Sequence, residues 1–166
     1  MTKKRIVEIK KGLADSCEAF YFCYKQKFSN VIKKSRDAFD FIQEYIPYTS
    51  AGWKESFHIL FLNRSNRVLD YSKISEGSMV MTVVGMKELA LMCVLCQAQG
   101  IILVHNHPSG QEKPSDSDIE LTNKVVNMLK LFDVQVLDHL IVRPDEEGRL
   151  ASYTSLRDES YINDWK

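Results

Sequence analysis

The 166-residue chain is defined first by what it lacks. No apolar run approaches the roughly 18 residues that a membrane-spanning helix needs, so no span is expected. Met1-Thr-Lys-Lys-Arg-Ile6 is basic, but no apolar stretch follows it as in a secretory signal. The default compartment is therefore the cytoplasm. Cysteine is sparse: Cys17, Cys23, Cys93 and Cys96 are the only four, and their spacing is not that of a disulfide framework. Cys93-x-x-Cys96 has no second pair to complete a structural metal knuckle, and Leu91, Met92, Val94 and Leu95 around it predict buried, unreactive thiols.

Net charge is missing too, since 22 basic residues balance 22 acidic ones, but the balance is uneven along the chain. Residues 1–36 hold ten lysines or arginines against Glu8, Asp15 and Glu18, a net +7, so the remaining 130 residues carry −7. The basic segment is interleaved with Phe20, Tyr21, Phe22, Tyr24 and Phe28, a composition that suits contact with nucleic acid or an acidic protein. The competing reading is structural: Arg5–Ile9 and Ala19–Tyr24 read as two strands whose lysines keep a sheet edge soluble.

What is present describes a globular domain. The chain is 45% hydrophobic and 27% charged, and its length is that of one ordinary domain with a real core. Its most informative stretch is Ile101-Ile-Leu-Val-His-Asn-His-Pro-Ser-Gly110. Ile101–Val104 reads as a short strand buried on both faces, bounded by Gly100 and by Pro108-Ser-Gly110. His105 and His107 stand at its end, two positions apart, so both imidazoles point to the same side of an extended backbone.

A third polar group joins them from the next element. A helix is expected from Ser115, the N-cap, to about Phe132. On its wheel Leu121, Val125, Val126, Leu129 and Phe132 form an apolar stripe. Asp118 falls near the centre of that stripe and Asp116 on the opposite side. A core-facing carboxylate is costly unless something pairs with it, and a cation held by His105 and His107 would do so. Two histidines and one carboxylate, with a fourth position left to water, form a catalytic zinc set rather than a structural one. Each fragment also has a plain structural reading: a His-x-His pair entering a loop, and Ser115-x-x-Asp118 as a capping box.

His105-x-His107-Pro108, six further residues and Ser115-x-x-Asp118 resemble the signature of JAB/MPN (JAMM) metalloproteases. His105-Asn-His-Pro-Ser-Gly110, Val136-Leu-Asp-His-Leu-Ile-Val142 and Phe61-Leu-Asn63 resemble, more closely, the RadC family of bacterial JAB-domain proteins. The resemblance covers residues 35–152. It implies the JAB/MPN (cytidine-deaminase-like) layered α/β fold, a Zn²⁺ held by His105, His107 and Asp118, and hydrolysis of a peptide or isopeptide bond in a protein or peptide substrate. It also implies that Ser115 hydrogen-bonds an oxyanion or water. By family register Glu55, in Trp53-Lys-Glu-Ser-Phe57 at the start of a strand, is the general base. Read from the residues alone, Glu55 is an ordinary solvated strand end, and Glu76, Glu88 and Glu112 remain rivals. RadC-family members often carry a helix-hairpin-helix module of roughly 60 residues or more; the 34 residues ahead of the matched region leave no room for one. A DNA-repair or nucleic-acid accessory role and a non-catalytic interaction module are the alternatives.

The remaining elements follow from local pattern. Ser35–Tyr45 has a cap residue at its start, apolar spacing and a stop before Pro47, which predicts a helix. Phe57–Leu62 and Arg67–Tyr71, joined by Asn63-Arg-Ser-Asn66, predict a hairpin, with His58 a satisfied core or rim residue. A helix is expected near 86–98. Val134–Leu137 and Leu140–Arg143 read as one strand interrupted by Asp138 and His139, for which a hydrogen bond to a ligand imidazole or a purely structural one are both open. Leu150–Ser152 follows a turn, and residues 153–166 read as a tail or short helix. The expected domain is a mixed, curved sheet of about six to eight strands, with the helices near 86–98 and 115–132 on opposite sides and residues 1–34 beside it.

Overall fold

A computed structural model describes residues 28–45, 54–76, 85–111 and 113–162. The strands expected at Arg5–Ile9 and Ala19–Tyr24, and the basic surface built on them, lie outside the described residues. In chain order the elements are α1 (Ser35–Tyr45), β1 (Ser56–Leu62), β2 (Val68–Glu76), α2 (Met86–Leu95), β3 (Gly100–Asn106), α3 (Asp116–Leu129) with a 3₁₀ turn at Lys130–Phe132, β4 (Gln135–Pro144) and β5 (Leu150–Ser155). Among the described residues five strands form one mixed sheet in the order β2-β1-β3-β4-β5. Only β3 and β4 run parallel, and α3 is their crossover. The layered α/β class expected from the sequence is the one observed.

β1 and β3 are buried at every position, which puts them in the middle of the sheet with a core on each side. One core combines Phe57, Ile59, Phe61, Ile101 and Leu103 with residues of both α2 and α3. The other combines Leu60, Leu62, Ile102 and Val104 with Ala38, Phe39, Phe41 and Ile42 of α1. α2 and α3 therefore share one face, and α1 covers the other, which corrects the expectation that α2 and α3 lie on opposite sides. Strands apolar on both faces carry no alternation from which the side of a helix can be read.

Three local details also differ. Ser35 does not cap α1: Asp37 accepts from the backbone N–H of Lys33 and Lys34 at 2.9 and 3.2 Å, and Ser35 turns inward. Phe132 is 46% exposed rather than on the buried stripe, because the chain tightens at Lys130 and each residue of a 3₁₀ turn rotates further than one of an α-helix. Leu91 and Val94, expected to be packed around the cysteines, are 47% and 54% exposed. Cys93 is buried, and burial pushes its thiol up to about 12, so it is inert at neutral pH.

β4 is continuous through Asp138 and His139. The chain expected as a tail continues β5 to Ser155 and then buries Leu156 and Ile162 in the α2/α3 core. No helix among the described residues is long and apolar enough to cross a membrane.

Candidate metal centre

The site forms where β3 ends. His105 is still in the ladder, opposite Phe57 of β1 and Ile141 of β4. His107 lies one step past the strand, and its N–H bonds to the Val142 carbonyl at 3.0 Å, so its backbone remains anchored. The chain then turns through Pro108 and Ser109. Gly110 has φ +74, and its N–H closes the turn on the His107 carbonyl at 3.0 Å. That left-handed position is one glycine adopts without strain. α3 follows with Ser115 as N-cap, and its first turn carries Asp118 back to the histidines.

One nitrogen of each ring and a carboxylate oxygen of Asp118 lie within 4.8 Å of one another, and all three residues are buried. His105 Nδ1 is 3.0 Å from Asp118 Oδ1, and His107 Nε2 is 3.4 Å from Oδ2. The capping-box reading of Ser115-x-x-Asp118 holds at the same time. Asp118 Oδ2 accepts from the Ser115 N–H at 2.8 Å and from its hydroxyl at 2.6 Å, while Ser115 Oγ accepts from the Asp118 N–H at 3.2 Å. A single carboxylate thus starts the helix and faces the histidines. Asp116 is exposed, as the wheel requires.

The donor set fits a cation. The Gln111 carbonyl, 3.2 Å from His107 Nδ1, can only accept, so this nitrogen carries the proton. A neutral His107 then presents the Nε2 lone pair to Asp118 Oδ2. Two acceptors face each other, and a positive centre is required between or beside them. In the metal-free protein a proton fills that role: the hydrogen bond to Asp118 outweighs burial and raises the His107 pKa. For Asp118, burial pushes upward, but hydrogen bonds from His105, His107 and Ser115 prevail and hold the carboxyl well below the usual carboxylate range. His105 Nε2 is buried with no hydrogen-bond partner among the described residues. Neutral imidazole nitrogens and an ionised carboxylate are the ligand types that suit zinc.

Behind the cluster stands His139. Its ring lies parallel to that of His105, centroids 6.4 Å apart, and meets Phe57 edge-on at 5.7 Å. Thr122 donates its hydroxyl proton to the Asp118 carbonyl at 2.5 Å, so the Thr122 oxygen accepts from His139 Nδ1–H at 2.7 Å. Burial, reinforced by the charge of His105, lowers His139 to about 3 and keeps it neutral. Asp138 points away, to Ser35 and Ser155, at 2.8 Å from each hydroxyl. Of the two readings open for it, the structural bond is the one observed. His58 is buried on the α1 side, its Nε2 3.0 Å from Ser56 Oγ.

Glu55 sits one residue before β1. It lies two positions ahead of Phe57, which pairs with His105 at the end of the β1–β3 ladder. Its charge contributes to raising the His107 pKa. Among its rivals, Glu76 ends β2 on the far side of β1, the Glu88 carboxylate folds back on Gly85, and Glu112 lies outside the described residues. Sequence reasoning missed Asn106 and Thr122. Asn106 stood in plain view between the two histidines, whereas Thr122 had no signal beyond its place one turn after Asp118.

A family model described as RadC-like JAB domain matches residues 32–161. The UPF0758 protein of Chlorobaculum parvum is 32% identical over 139 residues, covering 84% of this chain and 59% of that protein. The UPF0758 protein of Symbiobacterium thermophilum is 34% identical over 127 residues, covering 76% and 50%, and that of Coprothermobacter proteolyticus 42% identical over 98 residues, covering 59% and 42%. The chain spans about half the length of these curated relatives.

Proposed function

The chain belongs to the RadC-like JAB domain family, and from that membership we propose that it is a zinc-dependent hydrolase of the JAMM type, cleaving a peptide or isopeptide bond. The observation that carries this reading is the buried trio His105, His107 and Asp118 within 4.8 Å, with Glu55 near enough for its charge to act on His107. His105, His107 and Asp118 would hold Zn²⁺. When bound, the ion acts as a Lewis acid, lowering the pKa of water from about 15.7 toward 7 and polarising a carbonyl.

The remaining work falls to the protein. Glu55 takes a proton from the attacking water on its carboxylate and delivers it to the nitrogen of the departing amine. Ser115 stabilises the oxyanion through its hydroxyl. To do so the hydroxyl rotates away from Asp118 Oδ2, the acceptor it now serves at 2.6 Å. Thr122 and His139 brace the first turn of α3 from behind, so Asp118 keeps its place as charge builds up in front of it.

The test begins with metal content. Purified without chelator, the protein should hold close to one equivalent of zinc; failure to bind added zinc near neutral pH would sink the proposal. Glu55→Gln should keep the metal and lower hydrolysis of a peptide and isopeptide library, read by mass spectrometry, by about 10² to 10⁴. Full activity in that variant would remove Glu55 from its role.

A further inference from the structure

Asn106 lies between the two histidines, and alternation turns its side chain to the opposite, α1-facing side of the sheet. There it bridges to β1. Its Oδ1 accepts from the Ser56 N–H at 2.6 Å and from the Ser56 hydroxyl at 2.6 Å, and its Nδ2 donates to the Lys54 carbonyl at 2.9 Å. Asn106 and Ser56 are 2% exposed. The carboxamide thus offers one acceptor and one donor, as a backbone peptide does, at the place where the β1–β3 ladder stops. Its two backbone bonds reach the residues on either side of Glu55. A residue outside the ladder is ordinarily free to change its backbone angles, and Glu55 is not, because the groups before and after it are tied to the strand that carries the histidines.

We propose that Asn106 is the positioning residue for Glu55: its carboxamide extends the sheet by one side chain and sets the Glu55 carboxylate at a constant distance from the metal-binding histidines. This rests on the reading of Glu55 as the base. The arrangement couples the two halves of the site through the sheet. His105 and His107 face the metal side, and the residue between them reaches through to the other side and holds the strand that brings the base.

The test uses the cobalt-substituted protein and follows its visible absorption bands against pH, a signal that needs no substrate. Glu55→Gln should move the midpoint toward lower pH by about one unit or more, since a neighbouring negative charge no longer opposes proton loss. Asn106→Leu removes all three hydrogen bonds at similar volume, and Asn106→Ala removes them with the volume. Each should keep one cobalt and move the midpoint in the same direction, and the double variant with Glu55→Gln should move it no further than Glu55→Gln alone. An unmoved midpoint in the Asn106 variants, or shifts that add in the double variant, would overturn the inference and leave the role of Glu55 standing. Loss of cobalt from both Asn106 variants would also overturn it, assigning Asn106 to the ligand strand instead. An unmoved midpoint in Glu55→Gln would overturn the reading of Glu55 and this inference with it.

Discussion

The two faces of the sheet each bury a carboxylate, and they treat it in opposite ways. On the α1 side Asp138 is surrounded by donors: the hydroxyls of Ser35 and Ser155 and the backbone N–H groups of His139 and Arg157. These bonds join α1, β4 and the end of β5 over more than a hundred residues of chain. On the α2/α3 side Asp118 shares its neighbourhood with acceptors as well as donors, and the imidazoles of His105 and His139 each keep a nitrogen without a partner among the described residues. Buried polar groups are ordinarily satisfied, because an unmade hydrogen bond in the interior costs about 1–3 kcal/mol. The first cluster is closed and holds the fold together. The second leaves polar atoms unsatisfied among the described residues, and its His105, His107 and Asp118 could hold a cation.

That contrast can be broken most sharply at the ligands. Asp118→Asn should weaken zinc by more than about 100-fold, beyond what removing a mere supporting group costs, in a competition titration with a chromogenic chelator. Asp138→Ala should leave zinc affinity unchanged. It should instead lower stability by about 2–3 kcal/mol, because four donor groups lose their acceptor; the urea midpoint would show this as a displacement at constant slope. If Asp138→Ala released zinc, the division between a structural and a binding cluster would fail.

The two carboxylates also predict opposite pH behaviour in the metal-free protein. Burial raises Asp138, so the folded state holds a proton that the unfolded state has already lost. Its contribution to stability is fully present below the unfolded value near 4 and is lost as pH climbs through the raised folded value. Asp118 is lowered despite its burial. Its contribution is present above the unfolded value and is lost as pH falls toward the depressed one. Urea midpoints measured against pH should therefore show a smaller acid-side fall in Asp118→Asn, the remainder belonging to His139, and a smaller decline with rising pH in Asp138→Asn, the remainder belonging to the raised Asp70 and His107. The smallest effect is expected at the exposed Asp116: its change to Asn should cost under about 1 kcal/mol, the worth of a charge at a helix N-terminus, and leave zinc bound.

The sequence made the metal side of this contrast legible and hid the other. His105, His107 and Asp118 lie within fourteen consecutive residues, and strand alternation and the helical wheel place all three without knowledge of the rest of the fold. β1, β3 and α1 were equally readable, from apolar runs and from a stop before Pro47. Asp138 is visible only as a polar residue in an apolar strand, since its partner Ser35 is 103 residues away and reads locally as a helix cap. α2 misled because it is apolar around most of its circumference, so periodicity could not select the face that holds Leu89, Met92 and Cys93 from the one that exposes Leu91 and Val94. Glu55 was identified by family register, and residue chemistry alone ranked it no higher than its rivals.

The close spacing of the three ligands also has a consequence for the order of events in folding. From His105 to Asp118 is 13 residues along the chain, and from Glu55 to His107 is 52, a fourfold longer loop. At about 0.6 kcal/mol for each doubling, joining Glu55 to the site costs about 1.2 kcal/mol more in chain entropy than joining the ligands to each other. The second closure also waits on the pairing of β1 with β3, and non-local pairing is the slow part of building a sheet. A chain on its way to the native state would thus hold the metal before it held the base, and capture of the ion would precede the ability to use it.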